Sequence, residues 1–231
     1  MKPKGVLIDC GGTLLEEASH ELRAGDTWLL ANAARNPSKI SLDRILERRA
    51  HIEKEVVVRR DQCQLETPWP VITRLIYDHF DIQFDSDWAT LELEFWKVAM
   101  TTHAMPGAEK ALAELQRQGI PVGVLSNSIY RPAVLLYELE KQGLSRSLQF
   151  VMSSAEHGVR KPDPILFELA AVKLGRQAAD IWFVGDKLEI DVKGAEAAGM
   201  APIWFHPPAL TTWPYAGVSG WTDFVKLWHE A

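Results

Sequence analysis

The sequence predicts an α/β protein: a parallel sheet covered by helices on both faces, with an all-helical segment inserted near its start. Three observations carry that prediction. From residue 105 onward, short apolar runs alternate with helical patterns, which gives a parallel sheet with helical crossovers. The runs are continuously apolar, as expected of strands buried on both faces. Between residues 16 and 103 the pattern is helical only.

The elements follow in order. Val6-Leu7-Ile8 forms the first strand, Gly5 to Ile8, and ends in Asp9 and a Gly-Gly turn. Ser41 is placed to cap a helix whose apolar positions Leu42, Ile45, Leu46, Ile52 and Val56 keep helical spacing. Thr67-Pro68-Trp69-Pro70 breaks the chain. Val71–Phe80 and Ser86–Met100 read as two amphipathic helices, the second with Trp88, Leu91, Phe95 and Val98 on one stripe. After Met105-Pro106-Gly107, Ala108–Gln118 is a helix stopped by Gly119. A strand at Pro121–Leu125, a helix at Pro132–Gln142 and a strand at Gln149–Met152 follow. Asp163 caps a helix with Pro164 at its first position. Then come a strand at Ile181–Val184, a helix at Glu189–Ala198 ended by Gly199, and a strand at Pro202–Phe205. Residues 1–15 and 105–231 therefore make the sheet domain, and 16–104 the helical insertion.

Composition narrows the function classes. With 231 residues, 47% apolar and 24% charged, the chain is ordinary for a soluble globular protein. A net charge of −6 argues against non-specific binding to nucleic acid or an anionic membrane, both of which need a basic face. No apolar stretch has the length of a membrane span. The first strand begins almost at Met1, so no signal peptide is expected ahead of it. Cys10 and Cys63 make no disulfide framework, which suits a reducing cytoplasm. Most of the nine tryptophans are expected to fill cores. Arg44, Arg48, Arg49, Lys54, Arg59 and Arg60 alternate with acids and read as a solvated helix face, from which one arginine can reach a substrate anion.

Chemistry is concentrated in four short motifs: Asp9-Cys10-Gly11-Gly12-Thr13-Leu14, Ser126-Asn127, Lys161-Pro162-Asp163-Pro164 and Gly185-Asp186-x4-Asp191. In open parallel sheets ligands collect outside the carboxyl ends of the strands, so groups far apart in sequence can converge there. Asp9 offers a carboxylate to Mg²⁺ and can act as a nucleophile once held ionised. Gly11 and Gly12 let the backbone approach a ligand. Thr13 and Ser126 offer hydroxyl and amide donors to phosphate oxygens, and Lys161 a compact positive charge. Asp186 and Asp191, five apart across a turn, suit a hard metal with oxygen ligands. Singly each motif has a structural alternative: a turn, a helix cap, a surface lysine, or an Asp191–Lys187 pair.

Together these residues resemble the haloacid dehalogenase-like (HAD) hydrolase superfamily. The resemblance covers Val6–Leu14, Val122–Asn127, Gly158–Phe167 and Val184–Met200, and the insertion after the first motif is similar to the family's helical-cap members. It implies a Rossmann-like core and a mobile cap. Asp9 is then the nucleophile of an aspartyl intermediate, and Ser126, helped by Asn127, and Lys161 hold the phosphoryl oxygens. Asp186 binds Mg²⁺ with Asp9 and the Gly11 carbonyl, and Asp191 supports that site. The implied activity is a Mg-dependent phosphatase acting on a small phosphorylated metabolite.

One position departs from the pattern. The family's phosphatases carry an acid–base aspartate two residues after the nucleophile, and here that residue is Gly11. General acid–base catalysis contributes ~10²–10⁴-fold, so metal and phosphate binding are expected to persist while ester hydrolysis slows. The gap is met by an acidic leaving group, by another acid such as Glu16 or His20, or by a protein that binds a phosphate ligand without turning it over. Dehalogenation also fits the missing aspartate, but has little use for the Asp186–Asp191 metal loop. Phosphonate cleavage would use a cap lysine, with Lys39 and Lys54 nearest the start of the insertion. Ile8-Asp9-x-Gly-Gly-Thr is also similar to the phosphate loop of actin-like sugar kinases. There a β-hairpin should follow, and Leu15–Asp26 shows no alternation.

Overall fold

The computed structural model describes residues 2–208 and 214–231. Its elements run β1 (Gly5–Ile8), β2 (Leu15–His20), α1 (Leu22–Ala31), α2 (Leu42–Cys63), α3 (Trp69–Tyr77), α4 (Trp88–Ala99) and β3 (Met100–Ala104). They continue with α5 (Ala108–Arg117), β4 (Val122–Ser126), α6 (Pro132–Lys141), β5 (Phe150–Ser153), α7 (Ser154–His157) and α8 (Pro164–Leu174). The chain closes with β6 (Ile181–Gly185), α9 (Lys193–Ala197), β7 (Ala201–Phe205), β8 (Ala216–Val218) and α10 (Trp221–Glu230).

Six strands form one parallel sheet in the order β5-β4-β1-β6-β7-β8. β1 is central, with Val6 opposite Val122 on one side and Trp182 on the other. Every residue of β1, β4 and β6 is buried, which is why these strands read as continuous apolar runs. The chain moves outward from β1 through β4 to β5, then returns to the other side of β1 as β6. That reversal opens a crevice at the strands' carboxyl ends. Asp163 caps α8 by accepting from the Ile165 N–H at 3.0 Å, and Gly119 after α5 has a φ of +68°. Among the described residues six tryptophans, including Trp69, Trp221 and Trp228, are buried.

The structure corrects the reading of the insertion. Leu15–His20 and Met100–Ala104, both placed in the helical region, pair as an antiparallel ribbon at the insertion's two ends. Only Leu15 of β2 is buried, and a bulge between Glu17 and Ser19 breaks the alternation, so the segment carried no strand signal. The hairpin that a sugar-kinase loop requires is absent all the same, because β2 pairs with a strand far along the chain. Ser41 stands at the N-cap of α2, but its side chain makes no cap bond. The helix expected from Glu189 begins instead with a single π-turn, Leu188–Val192. Strand β8 and helix α10 extend the sheet domain beyond the elements expected. Among the described residues, no helix is long and apolar enough to cross a membrane. Both cysteines are free thiols.

Candidate active site

Asp9 stands one residue beyond β1. Its N–H donates to the Val184 carbonyl at 2.9 Å, carrying the ladder past the strand end and fixing the side chain's direction. Burial pushes the Asp9 carboxyl up to about 6; the Lys161 ammonium opposes that shift, while Asp191 and Asp186 add to it. Lys161 is 1% exposed. Its Nζ donates to Asp9 Oδ1 at 2.7 Å, Asp191 Oδ1 at 2.6 Å and the Leu125 carbonyl at 3.0 Å. Burial disfavours its charge, but Asp191 and Asp9 outweigh burial and hold its pKa above the ordinary value. An ammonium has three donors, so an arriving phosphoryl oxygen must replace one of these acceptors.

The Asn127 side chain is bonded otherwise than expected. Its Nδ2 donates to the Lys161 carbonyl at 2.9 Å and its Oδ1 accepts from the Lys161 N–H at 2.8 Å. Both ends of the carboxamide are occupied by the backbone of Lys161, so this side chain positions the lysine, and Asn127 itself lines the cleft. Thr13 also departs from expectation. It is fully buried, its hydroxyl has no partner among the described residues, and its carbonyl accepts from Trp221 Nε1 at 2.9 Å. It is not among the residues lining the cleft. Ser126 does line the cleft, and its hydroxyl is unpaired among the described residues.

Three carboxylates meet beside Lys161. One oxygen each from Asp9, Asp186 and Asp191 lies within 4.8 Å of the others. Asp191 is set by the π-turn: its Oδ2 accepts from the Lys187 N–H at 3.0 Å, and its own N–H donates to the Lys187 carbonyl at 2.7 Å. The Asp191–Lys187 alternative thus holds at the backbone, while the carboxylate's other oxygen turns to Lys161. Asp186 carries a buried Oδ1 with no partner among the described residues, and burial together with Asp191 raises its pKa. A Cβ on Gly12, whose φ is +81°, would lie 2.6 Å from Asp186 Oδ2. The backbone therefore packs against this carboxylate where no side chain fits. A hard divalent cation takes oxygen ligands of this kind, and the orphaned Asp186 oxygen fits such an ion.

Above this floor lies a cleft of about 340 Å³. Its roof comes from β2 (Glu17, His20), β3 (Met100, Thr102), Trp96 of α4 and Arg60 of α2, with Tyr130 and Arg160 at the side. Of the two suggested acids, His20 lines the cleft and Glu16 does not; its neighbour Glu17 does. Of the basic run, Arg60 reaches the cleft, whereas Arg49 is buried on Asp26 at 2.5 and 2.6 Å. Trp69 is core, tilted against Phe95 and stacked near Tyr130.

Residues before α3 sew the insertion to the loop preceding Lys161. Glu66 N–H donates to Gly158 O at 2.8 Å, and Arg160 N–H to Gln64 O at 3.1 Å. The buried Glu66 carboxylate accepts from Ser154 Oγ at 2.6 Å and pairs with the Arg160 guanidinium. Sequence reasoning missed Glu66, Arg160, Glu17 and Tyr130; only the adjacency of Arg160 to Lys161 pointed to any of them.

A parallel sheet of Rossmann type, with an acid-lined cleft at the point where its strand order reverses, defines the class. The chain belongs to the haloacid dehalogenase-like hydrolases, whose family model matches residues 3–199. Over 114 residues it is 32% identical to the ribulose-1,5-bisphosphate 5-phosphatase of Halopiger xanaduensis, covering 49% of this chain and 47% of that protein. Over 205 residues it is 27% identical to the phosphoglycolate phosphatase of Yersinia pestis, covering 85% and 78%. The chain spans about half the length, or less, of several curated relatives that it matches. The solved 2-haloacid dehalogenase of Pseudomonas syringae superposes with a TM-score of 0.67 over 99% of both chains at 22% identity, a likeness of fold.

Proposed function

We propose that the protein is a Mg²⁺-dependent phosphatase for a small phosphorylated metabolite, working through a phosphorylated Asp9. The observation that carries this reading is the joint placement of Asp9, Lys161, Asp186 and Asp191 at one strand-end crevice. Phosphatase-named relatives support the same class. Residues 16–104 serve as a cap over a core made of 1–15 and 105–231. A reducing, cytoplasmic setting suits the free thiols.

The residues divide the work. Asp9 attacks phosphorus, and the leaving oxygen departs on the far side. Lys161 neutralises the charge of the phosphoryl oxygens, and the Ser126 hydroxyl donates to them. Asn127 holds the Lys161 backbone, and Asp191 fixes the ammonium. Asp9, Asp186 and the Gly11 carbonyl would hold Mg²⁺, supported by Asp191. When bound, the ion offsets the repulsion between nucleophile and phosphate. The Asp186 loop has no evident use in halide displacement, which favours phosphoryl transfer.

Gly11 itself supplies no acid or base, so the proton transfers fall to another group, and the aspartyl phosphate is the intermediate to trap. The test is incubation with Mg²⁺ and acetyl phosphate or p-nitrophenyl phosphate, followed by acid quench and intact mass. Wild type should gain one phosphate that Asp9→Asn lacks. Indistinguishable behaviour of the two proteins across a broad set of phosphates would end the enzymatic reading and leave a phosphate-binding protein.

A further inference from the structure

The cleft contains one carboxylate that the chemistry above does not use. Asp9 and Asp191, the other two acids lining it, are held by Lys161. Glu17 lines the same cleft and has no hydrogen bond or ion pair among the described residues.

The ribbon explains how it gets there. Gly12 N–H donates to the Leu15 carbonyl at 2.8 Å, and Gly11 itself bridges to Leu15, so β2 starts against the first motif. Alternate residues of a strand share a face. Leu15 and Glu17 face the cleft together with Thr102, the partner of Glu17; Glu16, opposite His103, faces away. Two residues at ~3.4 Å each put the Glu17 backbone about 7 Å from Leu15, a gap that a glutamate side chain can narrow. The bulge at Ala18 then turns His20, farther out along the ribbon, back to the same face. At Gly11 a built Cβ meets nothing within 4 Å, so the volume of the missing side chain is open to a group arriving from the ribbon.

We propose that Glu17 is the proton donor and acceptor that Gly11 does not supply, an assignment resting on the phosphatase reading above. In the first step Asp9 Oδ forms a bond to phosphorus, the phosphorus–oxygen bond of the ester breaks, and the leaving oxygen takes the proton of the Glu17 carboxylic acid. In the second, the Glu17 carboxylate takes a proton from water as the water oxygen bonds to phosphorus. The Asp9–phosphate bond breaks, releasing phosphate and restoring the Glu17 acid and the Asp9 carboxylate.

The experiment compares two esters by rapid quench. p-Nitrophenyl phosphate needs no proton at its leaving group, whereas glycerol 2-phosphate does. Glu17→Gln should release nitrophenolate in the first turnover at the wild-type rate but slow steady turnover, since the second step still needs the base. On glycerol 2-phosphate the same variant should lose ~10²-fold in kcat/KM, and adding Gly11→Asp should recover at least ~10-fold of it. Glu17 is exposed and unpaired, so the melting temperature should not move. Wild-type turnover of both esters by Glu17→Gln overturns the assignment, as does a loss on glycerol 2-phosphate that follows His20→Gln instead. Wild-type release of nitrophenolate no faster than that of Asp9→Asn overturns the phosphatase reading, and Glu17's role with it.

Discussion

The floor and the roof of the cleft are built on opposite plans. On the floor, Lys161 has all three donors engaged, Asn127 has both ends of its amide engaged, and Asp191 uses both oxygens. On the roof, Glu17 and His20 are exposed and unpaired among the described residues, on a ribbon of mostly exposed residues. Groups that meet charge developing at phosphorus gain from being fixed in advance, because nothing then reorganises during reaction. Groups that meet a variable leaving group gain from being free. The difference predicts that floor substitutions alter stability and chemistry together, and roof substitutions alter chemistry alone.

The largest break should come at Lys161. Lys161→Met leaves Asp9 and Asp191 buried without their cation, and removing one partner of a buried pair costs about 3–5 kcal/mol. Urea unfolding without metal should show a loss of that order, and phosphoryl transfer should vanish with it. A stable but inactive Lys161→Met would mean the floor is not held by this ammonium.

Next comes the effect of pH. The folded pKa of Asp9 is raised to about 6 from 3.8, so between those values the folded state holds more protons than the unfolded one. Asp9's contribution to stability is therefore full at and below pH 4 and is lost as pH rises through 6, by on the order of 2–3 kcal/mol. Metal-free Asp9→Asn should lack that fall. Mg²⁺ should raise the wild-type melting temperature more at pH 7.5 than at pH 5, where Asp9 is largely protonated, and should hardly shift Asp186→Asn. Equal Mg²⁺ shifts in the two proteins would remove Asp186 from the metal site.

The smallest effects separate the seam from the roof. Glu66→Ala strips partners from Arg160 and Ser154 and should cost about 1–3 kcal/mol. Arg60→Ala, on the open side, should stay within about 0.5 kcal/mol while raising KM for an anionic substrate. Comparable losses at both positions, read by thermal melts, would erase the distinction.

The same contrast explains what could be read from the chain alone. β1, β4 and β6 were legible because burial on both faces demands uninterrupted apolar residues, and the groups at their ends followed. The ribbon was not, since β2 exposes most of its residues and bulges at Ala18. The reach of Glu17, rather than Glu16, depends on that pairing register. The clasp of the Asn127 amide on the Lys161 backbone was not legible either, because an amide beside Ser126 says nothing about which backbone it will bond. The Glu66–Arg160 pair joins residues 94 apart in the chain, with no local pattern to announce it.

Neighbouring glycines can have opposite fates under mutation. At position 12, any substituent would run into a carboxylate across a left-handed turn, so a library varied there should return almost nothing but the parent residue. Position 11 faces open space and should accept many replacements. An engineer could thus install an acid at 11 without disturbing the turn that carries it.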